Sequence, residues 1–595
     1  MKHLKYSLII IILAFFTNCK ESWLDVNPLG TDTEVSFYSS FAAVDLTVTA
    51  AYGNMGKDQA FDVDYFVPVG GSPSDDIETG GENVFDWTEA HASDLFQFDP
   101  SHIYLKRVYN YNYVGIKLTN YAIDKLIEIE PGASEIIKGK IKQRIAEMKF
   151  LRAFYHFLVA QIFGGGPYLT EVTAPDQFTV LKRTPLPEYY LNLETDLLEA
   201  IPDLLPRSEL GAENIGRASK GAAQALLGKV YLYESSYATN YTNDDRFTGM
   251  RNKYAEALEQ LEAVIQSPSY RLVGLDSTET YTSWWNSNNS ADSTTWGPVG
   301  AYRWIFTADA DNCAENVLEI QRQQDQLGYL TTRGSYLTVY TTARLIKTMS
   351  GAELSQLGWS FNSPSPYLEK AFGNNDERED GLLTETTSYN GELDPRYPVN
   401  IGKEGDSLLY ESGSDTWVLF DMSGGGINNL PTGMINRKYE CSPDEFWLAE
   451  KGNDFQEGPM NTRYIRMGDV YLMAAEAALL QTNSDATKAL EYINAVRTRA
   501  RNSAVTGGYP EFTGYPRNLP SVTLNDIIHE RRLELGGEGQ RFFDLVRWNR
   551  TEFLNVTVVE RQTDSKFEKG KHEFFPIPLN EIITSEGAIE QNPNY

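Results

Sequence analysis

Residues 466–477 read Arg466-Met467-Gly468-Asp469-Val470-Tyr471-Leu472-Met473-Ala474-Ala475-Glu476-Ala477. Small and apolar residues return every three to four positions, the period of a helix that buries one face. The spacing predicts a helix over 464–480 and a partner over 485–501, with Ala475, Ala477 and Ala478 facing Ala489 and Ile493. Side chains this small let two helix backbones approach closely, so the stretch reads as one half of a tight helical hairpin.

The same design occurs upstream. Residues 219–235 place Ala222, Leu226, Val230 and Tyr233 on one stripe, and 252–266 carry Tyr254-Ala255-Glu256-Ala257-Leu258 as the partner. Leu227-Gly228 and Tyr231 fall at the Leu-Gly-x-x-Tyr spacing of a tetratricopeptide repeat, where the glycine admits the neighbouring helix. Two more helices are predicted over 103–128 and 141–163, the second stopped by Gly164-Gly165-Gly166-Pro167. That glycine run follows a helix and lacks a Gly-Lys-Ser/Thr ending, so it reads as a helix stop and not as a phosphate loop. Between 270 and 460, and again over 55–100, helical periodicity fades and Gly, Asn, Ser, Asp and Pro rise. Long loops in a helical protein commonly carry its function. The expected fold is mainly α: a tetratricopeptide-like helical scaffold, chiefly 100–270 and 460–550, bearing a loop-rich, irregular ligand lobe, chiefly 55–100 and 270–460.

The N-terminus reads as an export signal. Lys2, His3 and Lys5 precede an apolar run from Leu8 to Phe16, which is far shorter than the roughly 20 residues a membrane span needs. Phe16-Thr17-Asn18-Cys19 then sets Cys19 where a lipoprotein signal peptidase would leave an N-terminal cysteine for acylation. The expected division is a signal peptide over 1–18 and a single lipid-anchored domain over 19–595. Of the other cysteines, Cys313 and Cys441 could pair in an oxidising compartment, although sequence separation does not fix their distance. With 52 Lys plus Arg against 82 Asp plus Glu, the formal net charge is −30, which repels phosphate backbones and makes nucleic acid a poor partner.

Catalytic signatures are scarce. There is no Cys-x-x-Cys, His-Glu-x-x-His or Gly-x-Ser-x-Gly, and His529-Glu530 is followed by Arg531-Arg532-Leu533 without a second zinc-binding histidine. His156 and His529 lie in helical segments and suit packing or surface roles. The acidic run 374–380 lacks the glycine and spacing of an EF-hand and reads as a solvated loop. No catalytic residue, cofactor or metal is expected. The aromatic residues say more. Trp87, Trp284, Trp285, Trp296 and Trp304 lie among Asn, Ser, Thr and Asp. Sugar rings stack their C–H faces on flat aromatic faces, while neighbouring carboxylates, amides and Arg bond the hydroxyls. Asp75, Asp76 and Trp87 in the early loop, with Trp284, Trp285, Trp296 and Trp304 in the later one, are the expected ligand contacts.

The C-terminal third resembles the SusD/RagB family. Residues 466–477 match its Arg-x-x-Asp-Val-x-Leu-x-x-Ala-Glu-Ala helix. Asn494-Ala495-Val496-Arg497-Thr498-Arg499, Glu530-Arg531-Arg532-Leu533-Glu534-Leu535, Glu538-Gly539-Gln540-Arg541 and Asp544-Leu545-Val546-Arg547-Trp548 follow in order. Phe575-Pro576-Ile577-Pro578 and the ending Gln591-Asn592-Pro593-Asn594-Tyr595 agree, as do Trp23-Leu24-Asp25, Leu151-Arg152-Ala153-Phe154 and Lys220-Gly221-Ala222-Ala223. The charged residues of 530–547 read as a hydrogen-bonded network between helix ends and loops, because they include no nucleophile. The resemblance implies a cell-surface, outer-membrane lipoprotein that captures oligo- or polysaccharide and serves as lid for a SusC-like, TonB-dependent barrel. Lys20-Glu21-Ser22 is similar to the charged tag linked with surface exposure in such lipoproteins. A RagB-like lid for peptides is the alternative. Peptide capture relies more on backbone hydrogen bonds and pockets, against which the Trp-Asn-Ser content argues mildly.

Overall fold

The computed structural model describes residues 37–57, 60–283, 297–322, 334–341, 346–348, 353–354, 358–373, 376–379, 382–383, 393–403, 407–410, 417–419, 430, 432–440, 458–506 and 514–595. Cys19 and the export segment, Trp284, Trp285, Trp296 and Cys441 lie outside the described residues.

The principal helices are α1 (Phe41–Met55), α2 (Thr88–Asp94), α3 (Ile103–Ile129), α4 (Glu135–Phe163), α5 (Leu186–Ala200), α6 (Lys220–Asn240) and α7 (Tyr254–Ile265) in the first half. In the second half come α8 (Met467–Leu480), α9 (Ala486–Thr506), α10 (Leu524–Leu535) and α11 (Arg541–Arg547). The sequence supplies their starts. Ser40, Ser134 and Ser219 accept the N–H of Ala43, Ile137 and Ala222, and Thr523 forms a reciprocal capping box with Asp526. Each bond satisfies a backbone donor that the helix itself leaves open. The glycine run does stop α4. Gly164 takes φ +68°, its N–H returns to Ala160, and a side chain there would press on the Phe574 ring at 2.7 Å.

Neighbours in sequence are neighbours in space. α3 packs on α1 and α4, α4 on α5, α5 on α6, α6 on α7, and α8 on α9. α8 also packs on α7, so the two predicted hairpins stack although the long insertion separates them. Gly228 is the reason α6 and α7 can meet. A Cβ at that position would stand 2.7 Å from Leu261 Cγ.

Several boundaries differ from the periodic reading: α4 begins at Glu135 and not at 141, and α9 runs to Thr506 and not to 501. α6 runs on to Asn240 because Ser235, Ser236 and Thr239 bond their hydroxyls back to Tyr231, Leu232 and Ser235 carbonyls, so polar residues continue the helix in the interior. α8 begins at Met467 and not at 464, because the preceding residues are drawn into a strand.

The strands are short. They are β1 (Ile77–Gly80), β2 (Tyr281–Ser283), β3 (Gly297–Val299), β4 (Asn316–Ile320), β5 (Ile346–Thr348), β6 (Glu353–Leu354), β7 (Phe361–Pro364), β8 (Ile401–Gly402), β9 (Ser407–Tyr410), β10 (Trp417–Leu419), β11 (Ile435–Asn436), β12 (Thr462–Arg466), β13 (Thr557–Val558) and β14 (Thr563–Asp564). All described pairs are antiparallel. β12 pairs with β4, β1 with β7, β2 with β3 and β13 with β14, while β6, β5, β10 and β9 make the one four-stranded sheet among the described residues. The β1–β7 ladder matters most for the lobe. It ties the early loop to the long insertion through Ile77 opposite Pro364 and Gly80 opposite Phe361. The main core runs through the helical array, and smaller apolar clusters lie under the lobe.

Candidate functional site

Charged residues of the C-terminal motifs form a buried network, as their pattern suggests. Arg466 bonds Glu538 at 2.7 and 3.0 Å and also meets Glu534, which Arg499 and Arg396 share. Arg531 links Asp469 to Asp544, and Arg547 joins Asp544 to Glu476, which also accepts the Trp548 indole N–H. These contacts join the start of α8 to α10 and α11. Burial opposes ionisation of Glu534, yet Arg499, Arg466 and Arg396 outweigh it and hold the carboxyl far below the usual range. Every acid named here faces a guanidinium partner.

The structure draws Asp75 and Asp76 into this interior and away from a ligand surface. Both are 1% exposed. Arg541 bonds Asp75 at 2.8 Å, Arg532 bonds Asp76 at 2.6 Å, and Arg378 reaches Asp75 at 3.1 Å. Burial opposes the charge on Asp75, but the three arginines hold it low, whereas burial with Asp75 alongside pushes Asp76 up despite Arg532. Their oxygens serve the fold, because Arg532 and Arg541 arrive from the far end of the chain. The acidic run 374–380 is also corrected where it is described. Asp376 and Glu379 turn inward to Arg532, and Glu379 accepts from His529 at 2.7 Å.

Trp87 is 7% exposed and caps the start of α2. Tyr104, Tyr340 and Phe361 meet its ring edge-to-face at 5.2, 5.4 and 4.9 Å, so its faces are spent on packing. Half-buried Trp359 joins the same cluster through Tyr340. The sequence reading missed Tyr104 and Trp359, since no periodicity links two residues that only the fold collects.

Trp304 has different surroundings. It ends the helical turn Ala301–Trp304 just after β3, and it is half-buried. Its ring lies 4.8 Å from that of Tyr281 on β2. Tyr281 donates its hydroxyl to Glu279 at 2.5 Å, and Glu279 is paired with Arg271, whose side chain is 52% exposed. Two tilted rings thus stand beside a partly exposed carboxylate–guanidinium pair, which offers both C–H stacking and hydrogen bonds to hydroxyls. Trp284, Trp285 and Trp296 belong to the segment between β2 and β3. Tyr281, Glu279 and Arg271 were overlooked in the sequence, although Tyr281 stands three residues before Trp284. Trp87 and Trp304 belong to different apolar clusters. A cavity of about 340 Å³ lined by Arg207, Arg217, Asn312, Glu319 and Gln321 has no aromatic wall and offers no stacking face.

Two family models match the chain. One is described as the SusD family and matches 314–595, and the other, described as starch-binding and associating with the outer membrane, matches 24–232. A SusD-like protein P2 of Formosa agariphila is 23% identical over the full length of both chains. The starch-binding protein SusD of Bacteroides thetaiotaomicron is 24% identical over 76% of this chain and 73% of its own. Among solved structures, a laminarin-binding SusD-like protein superposes with TM-score 0.65 at 25% identity, covering 94% of this chain and all of that one. Surface glycan-binding protein A of Bacteroides thetaiotaomicron, in complex with laminarihexaose, gives TM-score 0.65 at 21% identity, covering 93% of this chain and all of its own.

Proposed function

This chain belongs to the SusD/RagB family, and from that premise we propose that it captures an oligo- or polysaccharide at the cell surface without altering it. The observation that carries the reading is the Tyr281–Trp304 pair beside Glu279 and Arg271, a half-exposed stacking surface with a charged hydrogen-bonding rim. Trp284, Trp285 and Trp296 extend the same site in our proposal, as they follow Tyr281 and precede Trp304 in sequence. Relatives that bind laminarin, laminarihexaose and starch support a glucan as the first ligand to try. In this reading Cys19 carries the lipid that holds the protein at the outer membrane beside a SusC-like barrel. Tethering raises the effective concentration of the lid at the pore. No described helix is long and apolar enough to cross a membrane, so a lipid is the attachment the reading requires.

The test is retention in native gels containing laminarin or starch. Trp304→Ala and Tyr281→Ala each remove one stacking face, about 0.5–1.5 kcal/mol, or roughly a 2- to 10-fold loss of affinity. Trp87→Ala should instead lower the melting temperature, because it hollows a buried aromatic cluster at a cost of about 3–5 kcal/mol. Wild-type retention in both Trp304→Ala and Tyr281→Ala would remove this site. New reducing ends on incubation with the glucan would overturn the capture-only reading.

A further inference from the structure

We propose that His91, Asp94 and Glu560 form a binding site for one divalent transition-metal ion, with Zn²⁺ the best match. His91 and Asp94 stand one turn apart on α2. Glu560 comes from the turn between β13 and β14, at the other end of the chain. His91 Nδ1 lies 3.0 Å from Glu560 Oε2 and 3.6 Å from Asp94 Oδ2, and the three ligand atoms all fall within 4.8 Å of one another. The three side chains are 0, 1 and 2% exposed.

Three buried ligand atoms converge here from two separate elements. His91 Nδ1 is paired with Glu560 and Asp94, while His91 Nε2 and Glu560 Oε1 find no hydrogen-bond partner among the described residues. Buried polar atoms left open cost free energy unless something compensates them. A third carboxylate, Glu78, borders the cluster. It accepts the Val559 and Glu560 N–H groups at 2.9 and 3.0 Å, and the Thr79 N–H holds Asp94 at 3.1 Å. Backbone donors therefore fix two of the acids in place. One imidazolium cannot neutralise three carboxylates. A divalent cation held by His91 Nδ1, Asp94 Oδ2 and Glu560 Oε2 would supply the missing charge in place of the imidazole proton.

Geometry selects the ion. Zn²⁺ binds imidazole nitrogen and carboxylate oxygen at about 2.0–2.2 Å, which puts tetrahedral ligand atoms about 3.3 Å apart. The 3.0 and 3.6 Å separations bracket that edge. Ca²⁺ prefers six to eight oxygens at about 2.3–2.6 Å, and a nitrogen with two carboxylates is a poor cage for it. The site would pin α2 to the β13–β14 hairpin, and α2 starts directly after Trp87, which packs with Tyr340 and Phe361. Only His91 and Asp94, at i and i+3, were readable together; nothing in the sequence announces Glu560 as their third partner.

Because the cluster is closed, the metal is offered during folding. Protein unfolded in denaturant with EDTA is refolded with EDTA or with Zn²⁺, passed through gel filtration and analysed for metal. The expected result is one Zn²⁺ per chain, a higher melting temperature in the zinc-refolded sample, and visible absorption when Co²⁺ replaces zinc. Glu560→Gln and His91→Asn should each lose the metal and the zinc-dependent shift. Each variant's zinc-dependent shift is read against its own metal-free sample, because Glu560→Gln also removes a partner of the His91 pair, and Asp94→Asn serves if it fails to refold. Wild type that retains no zinc, or variants that keep it, would overturn the proposal.

Discussion

Glu534→Gln is the most informative single change to the scaffold. The carboxylate is fully buried and shared by three arginines, with Arg466 and Arg499 on Oε1 and Arg396 on Oε2 at 3.0 Å. Glutamine keeps the shape and removes the charge. Arg466 would retain Glu538, and Arg396 would retain Asp394 and Glu530 at 2.8 and 2.7 Å. Among the described residues Arg499 would keep one carboxylate, Glu315 at 3.5 Å, and the face of the Tyr302 ring at 5.1 Å. The cost is therefore that of one buried guanidinium left largely uncompensated, about 3–5 kcal/mol. Urea unfolding followed by tryptophan fluorescence measures it as the shift in midpoint multiplied by the slope. A second variant isolates the pair. Combining Glu534→Gln with Arg499→Met removes the stranded charge, so the double variant should be at least 1 kcal/mol more stable than the sum of the two single effects, on the order expected for residues in contact. A loss below about 1 kcal/mol for Glu534→Gln, or strict additivity, would show that the network does not carry the stability assigned to it.

Two further outcomes follow from the packing and from burial. Gly228→Ala gains helix propensity but drives a methyl to 2.7 Å from Leu261 Cγ, so it should destabilise by about 1–3 kcal/mol, and adding Leu261→Ala should recover part of the loss in the same urea assay. His156 is buried against Tyr189 and Leu169, and burial, aided by Arg152, pushes its pKa down to about 3. The unfolded chain takes up a proton below its ordinary pKa of about 6.5 that the folded chain refuses, so the stabilisation is complete above that pH and is lost as pH falls towards 3. Wild type should lose about 2 kcal/mol more than His156→Gln between pH 6.5 and pH 5, and parallel pH profiles would show that His156 is not the titrating group.

Particular residues show where sequence reading succeeds and where it stops. The 466–477 repeat, the Leu227-Gly228/Tyr231 spacing and the Gly164 stop were legible because each is local: a helix, its tight neighbour and its end are set by residues a few positions apart. The charge pattern of 530–547 also announced a scaffold, since an arginine-rich set without a nucleophile has few other uses. Asp75, Asp76 and Trp87 were not legible in this way. Their neighbours Arg532, Arg541, Tyr340 and Phe361 lie hundreds of positions away, and only the β1–β7 ladder and the docking of α10 and α11 turn them inward. Strand β12 overrode the helical period at 464 for the same reason, because its partner β4 is remote in sequence. Sequence alone therefore determined the repeated helices, through short-range periodicity and small-residue packing. Tertiary structure decided which acids and aromatics are interior and which are exposed, because burial depends on long-range contacts that no local pattern encodes.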